Sequence, residues 1–208
     1  MLLIEKQGMM NFSLSDNISY RNELKRKIIH ISSGIIPIGT FLYDKNIILY
    51  PLIFFTMIFV LIDILKIKVN QIKIIYKYIF QSISREAEID KLTGASYVLI
   101  GYTSILIIFP KNIAVFSMFI LCFSDTLAAL FGRKFGKIKI GNKSLEGFFA
   151  FIFSGLLISC IFQNIPFFIR FASVIFAGLI ELNSIKINDN ITIPWTVSVI
   201  CIIGIELL

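Results

Sequence analysis

Three carboxylates stand inside otherwise apolar stretches of this 208-residue chain: Asp63, Asp125 and Glu181. A carboxylate within a membrane span costs about 2.5 to 3.5 kcal/mol on insertion scales, so each one requires a partner or a task. Asp125 opens the richest stretch, Ser124-Asp125-Thr126-Leu127-Ala128-Ala129-Leu130-Phe131-Gly132-Arg133-Lys134-Phe135-Gly136, followed by Gly141-Asn142-Lys143-Ser144-Leu145-Glu146-Gly147. It joins an acid to five cations, Arg133, Lys134, Lys137, Lys139 and Lys143, and to glycine turns ahead of a helix start. Free backbone N–H groups at a helix start, glycines and cations together suit a phosphate. Ser144 is placed to cap a helix beginning at Leu145, with Lys143 as a point charge beside it. A carboxylate such as Glu146 next to phosphate makes sense when Mg²⁺ bridges them, because that ion binds through one or two carboxylates, phosphate oxygens and water. Asp125 and Glu146 are the first metal candidates and Asp189 the third.

In a continuing helix, Asp125, Ala128, Gly132 and Gly136 fall at i, i+3, i+7 and i+11, one face stripped of bulk. Such a face serves either close backbone approach to a ligand or the small-residue helix packing common in membranes. His30 follows Glu23, Arg26 and Lys27 at the mouth of the first apolar stretch, where it is suited to bind phosphate or act as a base, or to sit idle at headgroup level. Asp63 and Glu181 also read as helix-end charges reaching headgroup water. Asn188-Asp189-Asn190-Ile191-Thr192-Ile193-Pro194 brings more polar groups just after Glu181, with an ordinary turn as the plain alternative.

The elements that must hold these residues are membrane helices. With 57% hydrophobic and only 16% charged residues, the composition belongs in a bilayer. The net charge of +7 is spread between apolar stretches and forms no block or stripe, so it argues against nucleic acid. Cys122, Cys160 and Cys201 have no CxxC spacing, and neither a disulfide nor a metal site is expected of them. The first 27 residues lack a signal-peptide core, so the first apolar stretch is expected to remain as a span.

Cutting at charged and Pro/Asn breaks gives seven segments, about 28–43, 46–65, 93–109, 112–132, 147–163, 166–182 and 193–207. The expected fold is all-α, a polytopic transmembrane bundle of about seven spanning helices in one membrane-embedded domain, 1–208. Its parts are an N-terminal arm (1–27), an interfacial amphipathic segment (66–92) and a nucleotide-binding loop (133–146). Of the 20 Lys and Arg residues, 17 fall in the arm and the longer connections and only Lys45, Lys111 and Arg170 on the opposite side. The positive-inside rule then puts the N-terminus in the cytoplasm and the C-terminus outside.

Glu23-x-x-Arg26-Lys27-x-x-His30, Arg85-x-x-Glu88 with Leu92-Thr93-Gly94-Ala95, Ser124-Asp125 through Gly132 and Gly136, Lys143-Ser144-x-Glu146-Gly147, Glu181 and Asp189-Asn190 occur in that order. Over nearly the whole chain this resembles the CTP-dependent polyprenol and lipid kinases, among them dolichol kinase, phytol kinase and the yeast-type CTP-dependent diacylglycerol kinase. The resemblance implies transfer of the γ-phosphoryl group of CTP to a lipid hydroxyl with Mg²⁺, chemistry that consists mostly of positioning and charge neutralisation. It implies metal binding or hydroxyl activation for Asp125, phosphate contacts for Lys143, Arg133 and Ser144, and close backbone approach at Gly132 and Gly136. Glu146 and His30 join Asp125 as catalytic candidates, Asp189 is a further metal ligand, and Arg26, Asp63, Glu181 and Asn190 are other site candidates. Asn188 stands where a second acid is expected, and the chain lacks the extra helices of eukaryotic dolichol kinases. A CTP:phosphatidate cytidylyltransferase and a small membrane transporter are the alternatives; the first lacks its usual Lys-Asp and His-Gly-Gly-rich signature here, and the second predicts acids spread over the membrane depth. The expected setting is an integral membrane protein of the bacterial inner membrane, acting on a membrane lipid and a nucleoside triphosphate. The lipid alcohol, the preference for CTP over ATP on grounds other than resemblance, and the oligomeric state stay open.

Overall fold

The computed structural model describes residues 20–80, 88–183 and 187–208; the arm up to residue 19, Arg85 and Lys186 lie outside them. Ten helices appear among the described residues: α1 (Tyr20–Ser32), α2 (Ile35–Leu42), α3 (Lys45–Lys68), α4 (Asn70–Phe80), α5 (Gly94–Ile108), α6 (Lys111–Phe119), α7 (Thr126–Phe135), α8 (Leu145–Ser159), α9 (Phe167–Leu182) and α10 (Asp189–Glu206). A π turn, Ile120–Asp125, joins α6 to α7 into one rod, and a two-residue hairpin, β1 (Lys139–Ile140) with β2 (Lys143–Ser144), follows it.

Each apolar segment of the sequence is helical, with three revisions. The first segment is two helices, because the chain turns at Ser33–Gly34. Residues 66–68 complete α3, and among the described residues the amphipathic helix is Asn70–Phe80. Arg133, Lys134 and Phe135 belong to α7, and Glu146 to α8, so the loop between them is shorter than 133–146. Among the described residues, three helices are long and apolar enough to cross a membrane: Lys45–Lys68, Lys111–Phe135 and Asp189–Glu206.

The Lys111–Phe135 rod is the axis of the molecule. In its most apolar 18 residues 72% are buried, against 11% for Lys45–Lys68, which turns most of its surface outward. Phe116, Met118, Ile120 and Leu121 of the rod are fully enclosed by Tyr102 and Ile105 of α5, Phe151 of α8, Val174 and Ala177 of α9, and Ile193 and Val197 of α10. Where α7 meets α8 the backbones touch: a Cβ on Gly147 would lie 2.8 Å from the Ala128 carbonyl oxygen, and one on Gly132 2.8 Å from Ser144 Oγ. Here the small residues serve helix packing.

A buried ion pair closes the far end of α3. Asp63 and Lys66 are 2% and 0% exposed, and Lys66 Nζ donates to Asp63 Oδ1 at 2.9 Å. The same ammonium donates to the backbone carbonyls of Glu88 and Lys91, at 2.9 and 3.0 Å, and sits 4.4 Å from the Tyr76 ring centre. Asp63 Oδ2 accepts from the Thr93 N–H, the Thr93 hydroxyl and the Ser96 hydroxyl at 2.7, 2.9 and 2.6 Å. Apart from the bond that joins the two, the hydrogen bonds of the pair fasten residues 88–96 to α3, so Asp63 is more than a helix-end charge. Asp63→Ala leaves the Lys66 ammonium buried without its counter-ion, at a cost of about 3 to 5 kcal/mol. The expected result is a clear fall in the melting temperature of the detergent-solubilised protein, and an unchanged melting curve would contradict it.

Candidate functional site

The π turn sets the geometry around Asp125. A π turn carries an extra residue, which widens the helix and leaves carbonyl oxygens for side chains to satisfy, and such turns are frequent at functional sites. Tyr102 Oη donates to Met118 O at 3.3 Å, Thr126 Oγ1 to Cys122 O at 2.7 Å, and Lys27 Nζ to Asp125 O at 3.4 Å. His30 Nε2 lies 3.2 Å from Leu121 O; a carbonyl only accepts, so Nε2 carries the proton. Asp125 itself is buried, and its Oδ2 meets Lys27 Nζ at 2.5 Å and lies 3.7 Å from His30 Nε2. Helix α1 is therefore fixed to the rod by two side chains one turn apart.

Lys143, in β2, connects this pair to the other end of the chain. Its ammonium donates to Glu181 Oε1 of α9 at 2.5 Å and to Asp189 Oδ2 of α10 at 2.9 Å. Burial works against its charge, but the fields of Asp125, then Asp189 and Glu181, more than offset that and hold the Lys143 pKa above the ordinary lysine value. Asp189 lies in the first turn of α10, where Asn188 caps by accepting from the Asn190 N–H at 3.0 Å. Gly141, at φ 57°, makes the left-handed turn that closes the hairpin and returns the chain to Lys143. The ions number three carboxylates, Asp125, Glu181 and Asp189, against two ammonium groups, Lys27 and Lys143.

A second polar group adjoins the first through neighbouring residues. Glu23 Oε2 meets Arg26 at 3.1 Å and Arg133 at 3.3 Å. Arg26 also reaches Glu88 Oε1 at 3.3 Å, and Asn190 Nδ2 donates to Gly94 O at 3.1 Å. Two buried hydroxyls without a hydrogen-bond partner, Ser124 Oγ and Thr192 Oγ1, lie one residue before Asp125 and three residues after Asp189.

Of the residues singled out in the sequence, the structure gathers Asp125, His30, Lys143, Glu181 and Asp189, with Arg26, Arg133 and Asn190 beside them. It places four others at the α7–α8 joint instead. Glu146 accepts from the N–H groups of Lys137 and Ile138 at 2.9 and 3.2 Å and so holds the loop to the start of α8. Ser144 caps that helix by accepting from the Gly147 N–H at 3.1 Å and donates to Gly132 O at 3.4 Å. Gly132 and Gly136 pack against Ser144. Among the described residues no three His, Cys, Asp or Glu side chains converge as a ready metal cage. Lys27, Glu23 and Glu88, quoted above only within motifs and given no role, join the site here. Glu23, Arg26, Lys27 and His30 fall at i, i+3, i+4 and i+7, and that spacing alone puts them on one helical face.

Three relatives give this geometry a context. An uncharacterised protein of Rickettsia prowazekii is 35% identical over 182 residues, 83% of this chain and 89% of its own. The CTP-dependent diacylglycerol kinase 1 of Saccharomyces cerevisiae is 30% identical over 151 residues, 69% of this chain and 51% of its own. The probable chloroplastic phytol kinase 1 of Glycine max is 30% identical over 156 residues, again 69% and 51%. The chain spans about half the length of these two kinases. No family profile and no solved structure matches it.

The raised pKa of Lys143 has a direct readout. Stabilisation from a raised pKa is complete below the unfolded value and is lost only as pH rises through the higher folded one, so Lys143 stays protonated in the folded protein at about pH 9 to 10. Amine-directed acylation in that range, followed by mass spectrometry, is expected to modify Lys134 well before Lys143. Equal rates at the two lysines would show that the acids do not hold it.

Proposed function

Because this chain belongs to the family of CTP-dependent lipid kinases, we propose that it transfers the γ-phosphoryl group of CTP to the hydroxyl of a membrane lipid alcohol. The observation that carries this reading is the buried Lys27–Asp125 pair facing His30 and joined electrostatically to the Lys143–Glu181–Asp189 cluster. Such a cluster contains the two things phosphoryl transfer needs: cations for the charge on the transferred group and an acid beside the attacking hydroxyl.

The donor set also fits Mg²⁺. Its one excess negative charge would repel a triphosphate arriving alone, whereas carboxylate oxygens with phosphate and water are what that ion takes. One or two of Asp125, Glu181 and Asp189, which do not converge as a cage, would hold it together with phosphate oxygens and water, and when bound it would neutralise charge on the phosphates. The chain's own groups do the rest. Lys143 and Lys27, drawn from carboxylates to phosphate oxygens, balance the charge that builds on the transferring phosphoryl and the departing CDP. The lipid oxygen bonds to the γ-phosphorus as its bond to the bridging oxygen of CDP breaks. The hydroxyl proton passes to the Asp125 carboxylate, beside which His30 is held by Leu121 O.

We place this chemistry at the cytoplasmic face of a seven-span bundle, in a bacterial inner membrane. The 17 of 20 cations assigned to that side support the cytoplasmic face, and the outward-facing apolar surface of α3 supports a membrane setting. Diacylglycerol, an isoprenoid alcohol and a polyprenol of the dolichol type are the acceptor classes for this site.

Two measurements test the reading. Purified protein with these alcohols and CTP labelled at the α- or γ-phosphate is expected to label lipid only from the γ position, and label from the α position would make it a cytidylyltransferase. Asp125→Asn is expected to reduce turnover per folded molecule at least about 100-fold, and to lower the melting temperature as well, because Lys27 loses its counter-ion; undiminished turnover would remove Asp125 from the reaction.

A further inference from the structure

Arg26 and Glu88 form a partly buried pair, 19% and 18% exposed at their side chains, that the phosphate chemistry does not use. Gly94 lies against it. A Cβ built on Gly94 would meet Glu88 Oε1 and Asn190 Nδ2 at 3.8 Å and the Arg26 NH2 nitrogen at 3.9 Å, and nothing nearer. Three polar side chains from three elements thus converge on a point that carries no side chain of its own. The glycine does not need its conformational freedom there: it is the first residue of α5, and its neighbours stand at ordinary contact distances.

The charges decide what such a point can take. Among the described residues Arg26 and Arg133 meet Glu88 and Glu23, two charges of each sign, where the Lys27 and Lys143 cluster carries an excess of carboxylates. A charge-balanced donor and acceptor side by side is poor for phosphate and good for an uncharged base edge. Cytosine presents two acceptors, O2 and N3, beside one donor, the N4 amino group. A guanidinium supplies paired N–H donors to the first two, and a carboxylate accepts from the third. Uracil presents N3–H and O4 in the corresponding places, so its hydrogen faces a donor and its carbonyl faces a carboxylate.

Placement agrees with this chemistry. Arg26 is the chain neighbour of Lys27, which holds Asp125, and Asn190 is the chain neighbour of Asp189, which holds Lys143. The charge-balanced group therefore borders the ionic cluster on two sides, as a base pocket must border a phosphate site. Resting on the kinase reading above, we infer that Arg26 and Glu88, which meet Asn190 around the bare Cα of Gly94, form the subsite that reads the cytosine base.

The test measures both binding and turnover for CTP and UTP in the full-length protein, binding being read by competition with a fluorescent CTP analogue. Glu88→Gln keeps the shape and can donate to O4, so it is expected to lower the CTP:UTP ratio about tenfold or more in both measurements. Because a ratio is read, a partly unfolded sample does not mimic the effect. Gly94→Ala places a methyl where the base would lie and is expected to raise the KM for CTP about tenfold while the melting temperature holds. A CTP:UTP binding ratio unchanged within about twofold in Glu88→Gln overturns this inference and leaves the kinase reading intact. Absence of γ-label transfer by the wild type overturns the kinase reading, and the binding ratios still decide whether the base subsite exists.

Discussion

A charge inside an apolar bundle must find its opposite, and the pairing of Asp125 with Lys27 is where this requirement organises the molecule. The two residues are 98 positions apart, on α1 and at the end of the π turn, and their contact is 2.5 Å. An isolated carboxylate at that depth would be costly, so the first helix has to lie against the rod with its Lys27 face inward. Once α1 is set that way, Arg26 falls against Glu23 and Glu88, and His30 against Leu121 O. The Asp63–Lys66 pair answers the same requirement one helix away, and its reward is the anchoring of residues 88–96, from which Glu88 returns to Arg26. Two buried ion pairs thus determine where three helices and one connection can be.

Much of this was legible in the sequence because hydropathy and charge are local properties. Apolar runs marked the helices, acids within them marked Asp63, Asp125 and Glu181, and Ser144 before Leu145-Glu146-Gly147 marked a cap that the structure shows. What stayed hidden depends on distance along the chain. No local pattern says that Lys143 meets Glu181 and Asp189, 38 and 46 residues later. The π turn was equally invisible, since Phe119 to Phe123 has the composition of any membrane helix and only the unmatched carbonyls of the folded rod reveal it. The break at Ser33–Gly34 had a signal, a serine pair before glycine, that an otherwise apolar run of the right length concealed.

The glycine-rich stretch shows how one motif can be divided between two tasks. Gly132, Gly136, Ser144, Glu146 and Gly147 read as a phosphate cradle from spacing alone, yet their contacts bring α7 and α8 together and hold the connecting loop. Lys143 within the same stretch points away to the acids of α9 and α10. The division follows from side-chain size: residues without bulk let backbones meet, and the long cation beside them reaches across the joint. Close packing of that joint is what fixes the origin from which Lys143 extends, so the glycines serve the site at one remove.

The same economy governs the pairs Arg26–Lys27 and Asp189–Asn190. Successive residues on a helix point about 100° apart, so two adjacent polar side chains cannot serve one small site but can border two. Lys27 and Asp189 turn to the ionic cluster, Arg26 and Asn190 to the charge-balanced one at Gly94. A ligand with a charged chain at one end and an uncharged ring at the other requires two such environments at a fixed separation. Helix geometry supplies that separation without any loop having to be ordered first, and both helices that provide it are held by buried contacts rather than by the ligand. Rigid placement of this kind suits a reaction in which alignment and charge neutralisation, more than any reactive side chain, set the barrier.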